Sequence, residues 1–454
     1  VGRLDALDVV GERALKYYAS QDTRKLDADA LGRRARALLL VGEIDQRRND
    51  LDAALAAYEA AAATTGELMR REPNNPQRIF DHAQSVFYVG SIATSRNDFA
   101  AAEKSFQEYL RLAERLIALD PANADYRLEI AYATNSLGAA KFSSGDYDAA
   151  IPDFETSVEI RRGLYEAAPG DAGIAKAYAY ALSWLAYAEL SSGDFERSQA
   201  LIQEQLSVYD KVAASNPEDF SYLDRLVTAQ RRLAEARLGL GDVDGAETAV
   251  AQASQTVVRL LTREPSNANW KINASYIEQT ISYLRGLSGD APGELAAAEK
   301  AVDFAREIAL RDPSDANVKS AFAFALARRV AAGGQTRNVD NAAEELARLL
   351  DETIATGASS AAGLIGEASV ALAAYEHSRA RPGEARARAA AGAQELEKRL
   401  ASLSPLERVA LAELYLASGD AAEARRLAEA LTEIGVAHPE IQQLRRRLSE
   451  RAAN

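Results

Sequence analysis

A proline returns every 48 residues along most of this chain: Pro73, Pro121, Pro169, Pro217, Pro265 and Pro313 are evenly spaced, with no insertion between them. An aspartate keeps the same interval at Asp50, Asp98, Asp146, Asp194, Asp242 and Asp290. A fixed period of about 20–50 residues marks a chain made of stacked copies of one supersecondary unit, because a single copy cannot bury its own apolar face. The 454 residues would allow a few compact domains or one long array, and the beat selects the array.

Composition narrows the unit to paired helices. Hydrophobic residues make up 48% of the chain but aromatics only 7%, with alanine abundant. Strands favour β-branched and aromatic side chains. The 12 prolines and 27 glycines are too few for a loop-rich or disordered chain. A formal charge of −14, from 67 acidic against 53 basic residues, disfavours a nucleic-acid partner, which needs a basic face. No run of about 18 apolar residues is present, so no membrane-spanning segment is expected. The absence of cysteine removes disulfides, thiol chemistry and cysteine-ligated zinc.

The stretch from Ala122 to Pro169 displays the unit most clearly. Leu128, Ala131, Tyr132, Leu137 and Ala140 follow a helical stripe, which Ser144-Gly145-Asp146 interrupts. Glycine supplies a left-handed helix end and aspartate caps the next start. A second helix is expected through Ala150, Ile151, Phe154, Val158 and Leu164, and Pro169 stops it. Small residues recur in the first helix (Gly42, Gly90, Gly138, Ala186, Ala234) and in the second (Ala54, Ala102, Ala150, Ser198, Ala246). They let two helix axes approach, and bulky neighbours such as Tyr58, Phe106 and Phe154 fill the space beside the crossing.

With Gly145-Asp146-Tyr147 followed by Ala150, and Gly193-Asp194-Phe195 one unit later, the units resemble tetratricopeptide repeats over about 27–313. The resemblance implies an all-α, right-handed solenoid of antiparallel helix pairs with a concave groove formed by the first helices. The family's usual unit is about 34 residues, so these carry longer helices.

The expected organisation is a half-repeat helix and linker at 1–25, six 48-residue units over 26–313, worn helical repeats at 314–400, and a short unit with a terminal capping helix at 401–454. The sixth unit reads as decaying, because Ser282 and Glu294 replace its small residues and Ala291-Pro292-Gly293 its aromatic turn. The half-unit at the start, in a chain that begins at Val1 and shows no signal peptide, reads as a piece of something longer.

No catalytic site or cofactor is expected. Phosphate-loop, HExxH and GxSxG patterns are absent, and His82, His377 and His438 share no ligand spacing. The periodic aspartates suit helix capping better than metal binding, so no metal is expected. Carried onto the groove of the resemblance, the lining would be Gln84, Phe87 and Ser91 in the second unit, and Tyr132, Asn135 and Phe142 in the third. Tyr180, Ser183 and Tyr187 follow in the fourth, Thr228, Arg231 and Glu235 in the fifth, and Tyr276, Gln279 and Tyr283 in the sixth. Tyrosine suits a binding surface, offering contact area and a hydrogen bond at small entropic cost. The alternative is that these rings pad the seams between repeats.

Two functions follow. One is a non-enzymatic scaffold binding a protein or peptide ligand in the groove. The other is the sensor or oligomerisation part of a larger bacterial signalling or defence protein, with an effector such as a Toll/interleukin-receptor-like domain elsewhere. A homo-oligomer is compatible with either. An enzyme on a helical scaffold is a weaker third reading. With no export signal, a cytoplasmic location is expected, although a periplasmic part of an anchored protein would read the same.

Overall fold

The computed structural model describes Tyr17 and residues 25–48, 50–216, 219–313, 315–333, 339–357 and 361–453. Apart from helical Tyr17, the expected helix at 4–20 lies outside the described residues, as does Pro217. The described residues form α-helices and short 3₁₀ turns such as Leu400–Ser402, with no strand.

Two compact units divide the chain, residues 1–167 and 168–454. Unit 1 holds α1 (Ala28–Arg47), α2 (Leu51–Arg71), α3 (Pro76–Ser95), α4 (Phe99–Leu119), α5 (Ala124–Ser143) and α6 (Tyr147–Ala167). Unit 2 begins with α7 (Ala172–Ser192), α8 (Phe195–Ser215), α9 (Leu223–Gly239), α10 (Val243–Arg263), α11 (Ala268–Leu287) and α12 (Ala291–Ala309). It continues through α13 (Ala316–Gly333), α14 (Asp340–Thr356), α15 (Ala362–Ser378) and α16 (Pro382–Glu397). The last helices are α17 (Pro405–Ser418), α18 (Ala421–Glu433) and α19 (Pro439–Ala453).

Two series of caps fix where these helices begin. The aspartates before the second helices accept a backbone N–H three residues on, as Asp98 does from Ala101 at 3.1 Å and Asp194 from Arg197 at 2.9 Å. This satisfies one of the donors that every helix start leaves open. A second series lies on the same 48-residue beat at Asp27, Asn75, Asn123, Asp171, Asp219, Asn267 and Asp315. Asn75 accepts from Gln77 N–H at 3.0 Å and Asp315 from Asn317 N–H at 2.7 Å, opening first helices. Asp219 departs from the pattern. It accepts from Ser221 N–H at 2.9 Å and pairs with Lys176 at 2.9 Å, while α9 starts only at Leu223. Hydrogen bonds from Ser221 and Lys176 hold the Asp219 carboxyl down at about 2.

The tight turn inside each pair needs a left-handed residue just before the aspartate. Gly145, Gly193, Gly241 and Gly289 supply it with φ between 77° and 104°, and Asn97 does so at 60°.

The helix crossings follow the small-residue logic. A Cβ at Gly42 would lie 2.6 Å from the Tyr58 ring, one at Gly90 2.7 Å from Phe106, and one at Gly138 2.9 Å from Phe154. Where the second helix offers an aliphatic instead, Ile202 or Val250, the first helix affords alanine, Ala186 or Ala234, and all four are buried. The sixth pair, expected to decay, is intact. Ser282 is fully buried and its hydroxyl donates to the Glu294 carbonyl at 2.9 Å, so a small polar residue closes the crossing with a hydrogen bond. Ser198 does the same toward Ala186 at 2.8 Å.

Unit 2 closes on itself. Its first helices pack in sequence, α7 on α9, α9 on α11, α11 on α13, α13 on α15 and α15 on α17, and α17 returns to α7. The Pro405 ring packs on the Gly193 turn, and the Ala437 N–H donates to the Gly239 carbonyl at 2.9 Å. The terminal helix α19 packs against α17 and α18, and His438 at its start stacks on Tyr283 at 5.8 Å.

Candidate functional site

The predicted lining separates between the two units, and much of it is engaged in seams. In unit 1, the Gln84 amide of α3 donates to Glu129 of α5 at 3.1 Å, and Tyr109 donates to the same carboxylate at 2.6 Å. Burial raises Glu129 above the usual carboxylate range. Phe87 lies among Tyr88, Phe106 and Tyr109, with ring centroids 5.5–6.0 Å away. Ser91 is half-buried, and Phe142 packs on Tyr147 across the tight turn, centroids 5.1 Å apart. Tyr132 is 47% exposed, with the Arg161 guanidinium 5.0 Å from its ring. Asn135 is half-buried, and its side-chain oxygen is enclosed with no hydrogen-bond partner.

In unit 2, arginines of one first helix lie over tyrosines of its neighbour. Arg225 sits 4.4 Å from the Tyr180 ring, Arg232 3.7 Å from Tyr187, and Arg328 5.8 Å from Tyr283. In each case the arginine lies 45 residues after the tyrosine. That is one repeat less a near-turn of helix, so the contact joins neighbouring first helices. Arg231 reaches Tyr276 at 5.2 Å and forms an ion pair with Glu235 on its own helix. Tyr276 meets the edge of Phe324 at 6.4 Å, and Gln279 donates to Ser275 at 3.2 Å. A guanidinium over an aromatic face gains electrostatically and keeps its rim available for acceptors.

The inner side of unit 2 is rich in charge. Glu367 on α15 is exposed at a surface crowded by neighbouring side chains. Burial, with Glu440, Glu235 and Glu407 nearby and Arg328 opposing them, raises its carboxyl to about 7. His438 is 8% exposed, and burial pushes its imidazole down to about 4. The Tyr283 hydroxyl beside it is enclosed with no hydrogen-bond partner.

A cleft of about 180 Å³ opens between α7 and α9 above α8. Tyr180, Ser183 and Trp184 line it from α7, Gln205 from α8, and Arg225, Thr228, Ala229 and Arg232 from α9. Three predicted residues, Tyr180, Ser183 and Thr228, thus meet in one place. Trp184, Gln205 and Arg225 were not anticipated. Trp184 is one residue from the register followed, and Gln205 belongs to a second helix, which the groove reading left out. No group of three or more acidic or histidine side chains capable of holding a metal occurs among the described residues.

These features define a class: an α-helical repeat scaffold whose inner surface is carried by successive first helices. Residues 131–163 match the tetratricopeptide repeat model. The match runs from within α5 to within α6, so the length beyond about 34 residues lies at the helix ends away from the tight turn. No curated protein matches the chain. Among solved structures, the apo form of RapI is 14% identical, with 70% of this chain and 96% of that one covered and a TM-score of 0.47. BtubC (BKLC) from P. vanneervenii is 15% identical, with 57% and 92% covered and a TM-score of 0.42. The MamA protein is 16% identical, with 51% and 97% covered and a TM-score of 0.30. No helix among the described residues is long and apolar enough to cross a membrane.

Proposed function

We propose that the chain is a non-enzymatic scaffold that binds a protein or peptide segment on the first-helix face of unit 2. The observation that carries this reading is the cleft between α7 and α9, which has aromatic walls and two arginines at its side. A repeat scaffold recognises its partner with a surface shared by several helices, and a few aromatic and arginine anchors carry most of the affinity. The arginine-over-tyrosine seams hold such anchors in fixed orientations before a partner arrives, which lowers the entropy lost on binding. Tyr132 on unit 1 is a separate exposed ring and is assigned no part in this cleft.

The test is selection of binders from a random peptide library against the full chain. Enriched peptides are expected to lose binding to Tyr180→Ala and Arg225→Ala while still binding Tyr132→Ala. Peptides indifferent to the first two substitutions would place recognition elsewhere.

A further inference from the structure

We propose that the cleft between α7 and α9 receives a tyrosine side chain from a partner segment with an acidic residue beside it. This rests on the peptide-binding reading above and names the chemistry of its anchor.

Size comes first. An apolar cavity of about 150 Å³ admits benzene, so one of about 180 Å³ admits a six-membered ring bearing a polar atom. The Tyr180 and Trp184 rings, edge to face at 6.4 Å, give the cleft walls suited to an aromatic guest.

The floor selects what the ring carries. Gln205 is 2% exposed, and its amide nitrogen reaches the Tyr209 hydroxyl at 3.4 Å. Its carbonyl oxygen takes no part in that contact, and Gln205 lines the cleft. An amide oxygen that opens into a cleft can accept from a ligand hydroxyl. The hydroxyls in the cleft do not compete for that role. Ser183 donates to its own helix at the Tyr180 carbonyl, 2.7 Å away, and Thr228 to the Asp224 carbonyl at 3.2 Å. A phenol fits, because its ring fills the cleft and its hydroxyl donates to Gln205.

The flank selects the neighbour. Arg225 is exposed over Tyr180, and Arg232 donates to the Ser183 carbonyl at 3.2 Å with its Nε enclosed and unpaired. Neither has a carboxylate within ion-pair distance among the described residues. Asp224 and Glu235 act on Arg225 and Arg232 through space without pairing with them, so both guanidinium groups keep hydrogen-bonding capacity for an anionic partner.

The probe is the blocked peptide acetyl-Gly-Asp-Tyr-Asp-Gly-amide, titrated calorimetrically into the full chain. It is compared with versions carrying phenylalanine for tyrosine or asparagine for both aspartates. The tyrosine peptide is expected to bind about fivefold to tenfold tighter than the phenylalanine one, the scale of one hydrogen bond. Gln205→Leu should bring the two within about twofold, with the helical melting curve as a check on folding. Arg225→Ala should remove the preference for aspartate over asparagine, and Thr228→Phe, which fills the cleft from its rim, should abolish binding. Equal binding of the tyrosine and phenylalanine peptides, or a preference surviving Gln205→Leu, would overturn the assignment. Library peptides that bind the inner face but ignore all three variants sink the anchor alone. Failure of every peptide to bind sinks the scaffold reading with it.

Discussion

The backbone N–H of Ala437 donates to the carbonyl of Gly239 at 2.9 Å, tying the approach to the last helix to the end of α9. Beside that bond, Gly241 is left-handed at φ 77°, and a Cβ there would lie 3.0 Å from the Ala437 carbonyl oxygen. The last helices of unit 2 therefore fold back against α9.

That seam can be weighed by comparing two equivalent glycines. Gly241→Val and Gly289→Val both force a β-branched residue into a left-handed turn, at about 1–3 kcal/mol each. Only the first also meets Ala437, because nothing lies within 4 Å of the Gly289 position. Gly241→Val is expected to be the more destabilising and alone to speed amide exchange across 435–445. Equal melting temperatures and exchange would show that the contact contributes nothing.

His438 makes the closure sensitive to acid. Its imidazole is neutral in the folded chain, with a value near 4 against an ordinary 6.5. The folded state therefore binds fewer protons than the unfolded one between those values. Its stability contribution is full above about pH 6.5 and is lost as pH falls toward 4, by about 3 kcal/mol at 1.36 kcal/mol per unit. Tyr283 stacks on the ring and the Glu440 N–H donates to its Nδ1 at 3.4 Å, and no carboxylate is hydrogen-bonded to the ring among the described residues. His438→Phe should flatten the denaturation midpoint over this range, and an unchanged slope would contradict the burial.

Glu367 gives the opposite slope. Its folded value near 7 lies above the ordinary 4.5, so the folded chain holds the extra proton and loses stability as pH rises through that window. Glu367→Gln should match the parent at pH 5 and exceed it at pH 8 in thermal melts. A deficit at pH 8 would mean that the ionised carboxylate is stabilised instead.

The small-residue crossings are expected to be interchangeable in pairs. Gly138→Ala should cost about 1–3 kcal/mol, because its Cβ falls 2.9 Å from the Phe154 ring. Adding Phe154→Ile recreates the Ala186–Ile202 crossing of the next unit and should recover part of that loss. Urea denaturation of the double-mutant cycle reads the coupling, and strict additivity would refute it.

The first-helix caps offer a last test. Asn123 accepts from Asp125 and Tyr126 N–H groups at 3.0 and 3.3 Å, so Asn123→Ala should cost about 0.5–2 kcal/mol in chemical denaturation. No change would mean that packing alone starts α5.

The helix pairs were legible because their signals are local and repeated. Asp98 and Asp194 each cap the helix that directly follows, and Gly138 needs only its partner sixteen residues on. The second cap series was legible too but went unread, since Asn75 and Asn123 alternate with Asp171 and no single residue type marks it. The sixth pair was misjudged by ranking Ser282 as a loss, when a serine hydroxyl can close a crossing that a methyl would only fill. The inner face was harder. Gln84 and Phe87 carry the right character for a groove, yet Glu129 and the rings of the neighbouring helix claim them. Periodicity gives the direction of a side chain from its helix but not what the next helix puts opposite it. The return of α17 to α7 depends on small rotations accumulated over many helices, which no local pattern encodes.

Because both cap series and the left-handed turn keep step, the natural cutting point for this chain is the joint between units. Excising 48 residues from Asn75 onward would bring Asn123 to the place that Asn75 held, with the same kind of hydrogen bond waiting. A splice that is not a multiple of 48 would leave first-turn N–H groups without their capping oxygen. The array is thus a text that can be shortened or extended by whole stanzas, and its tolerance for insertion is quantised by its own helix starts.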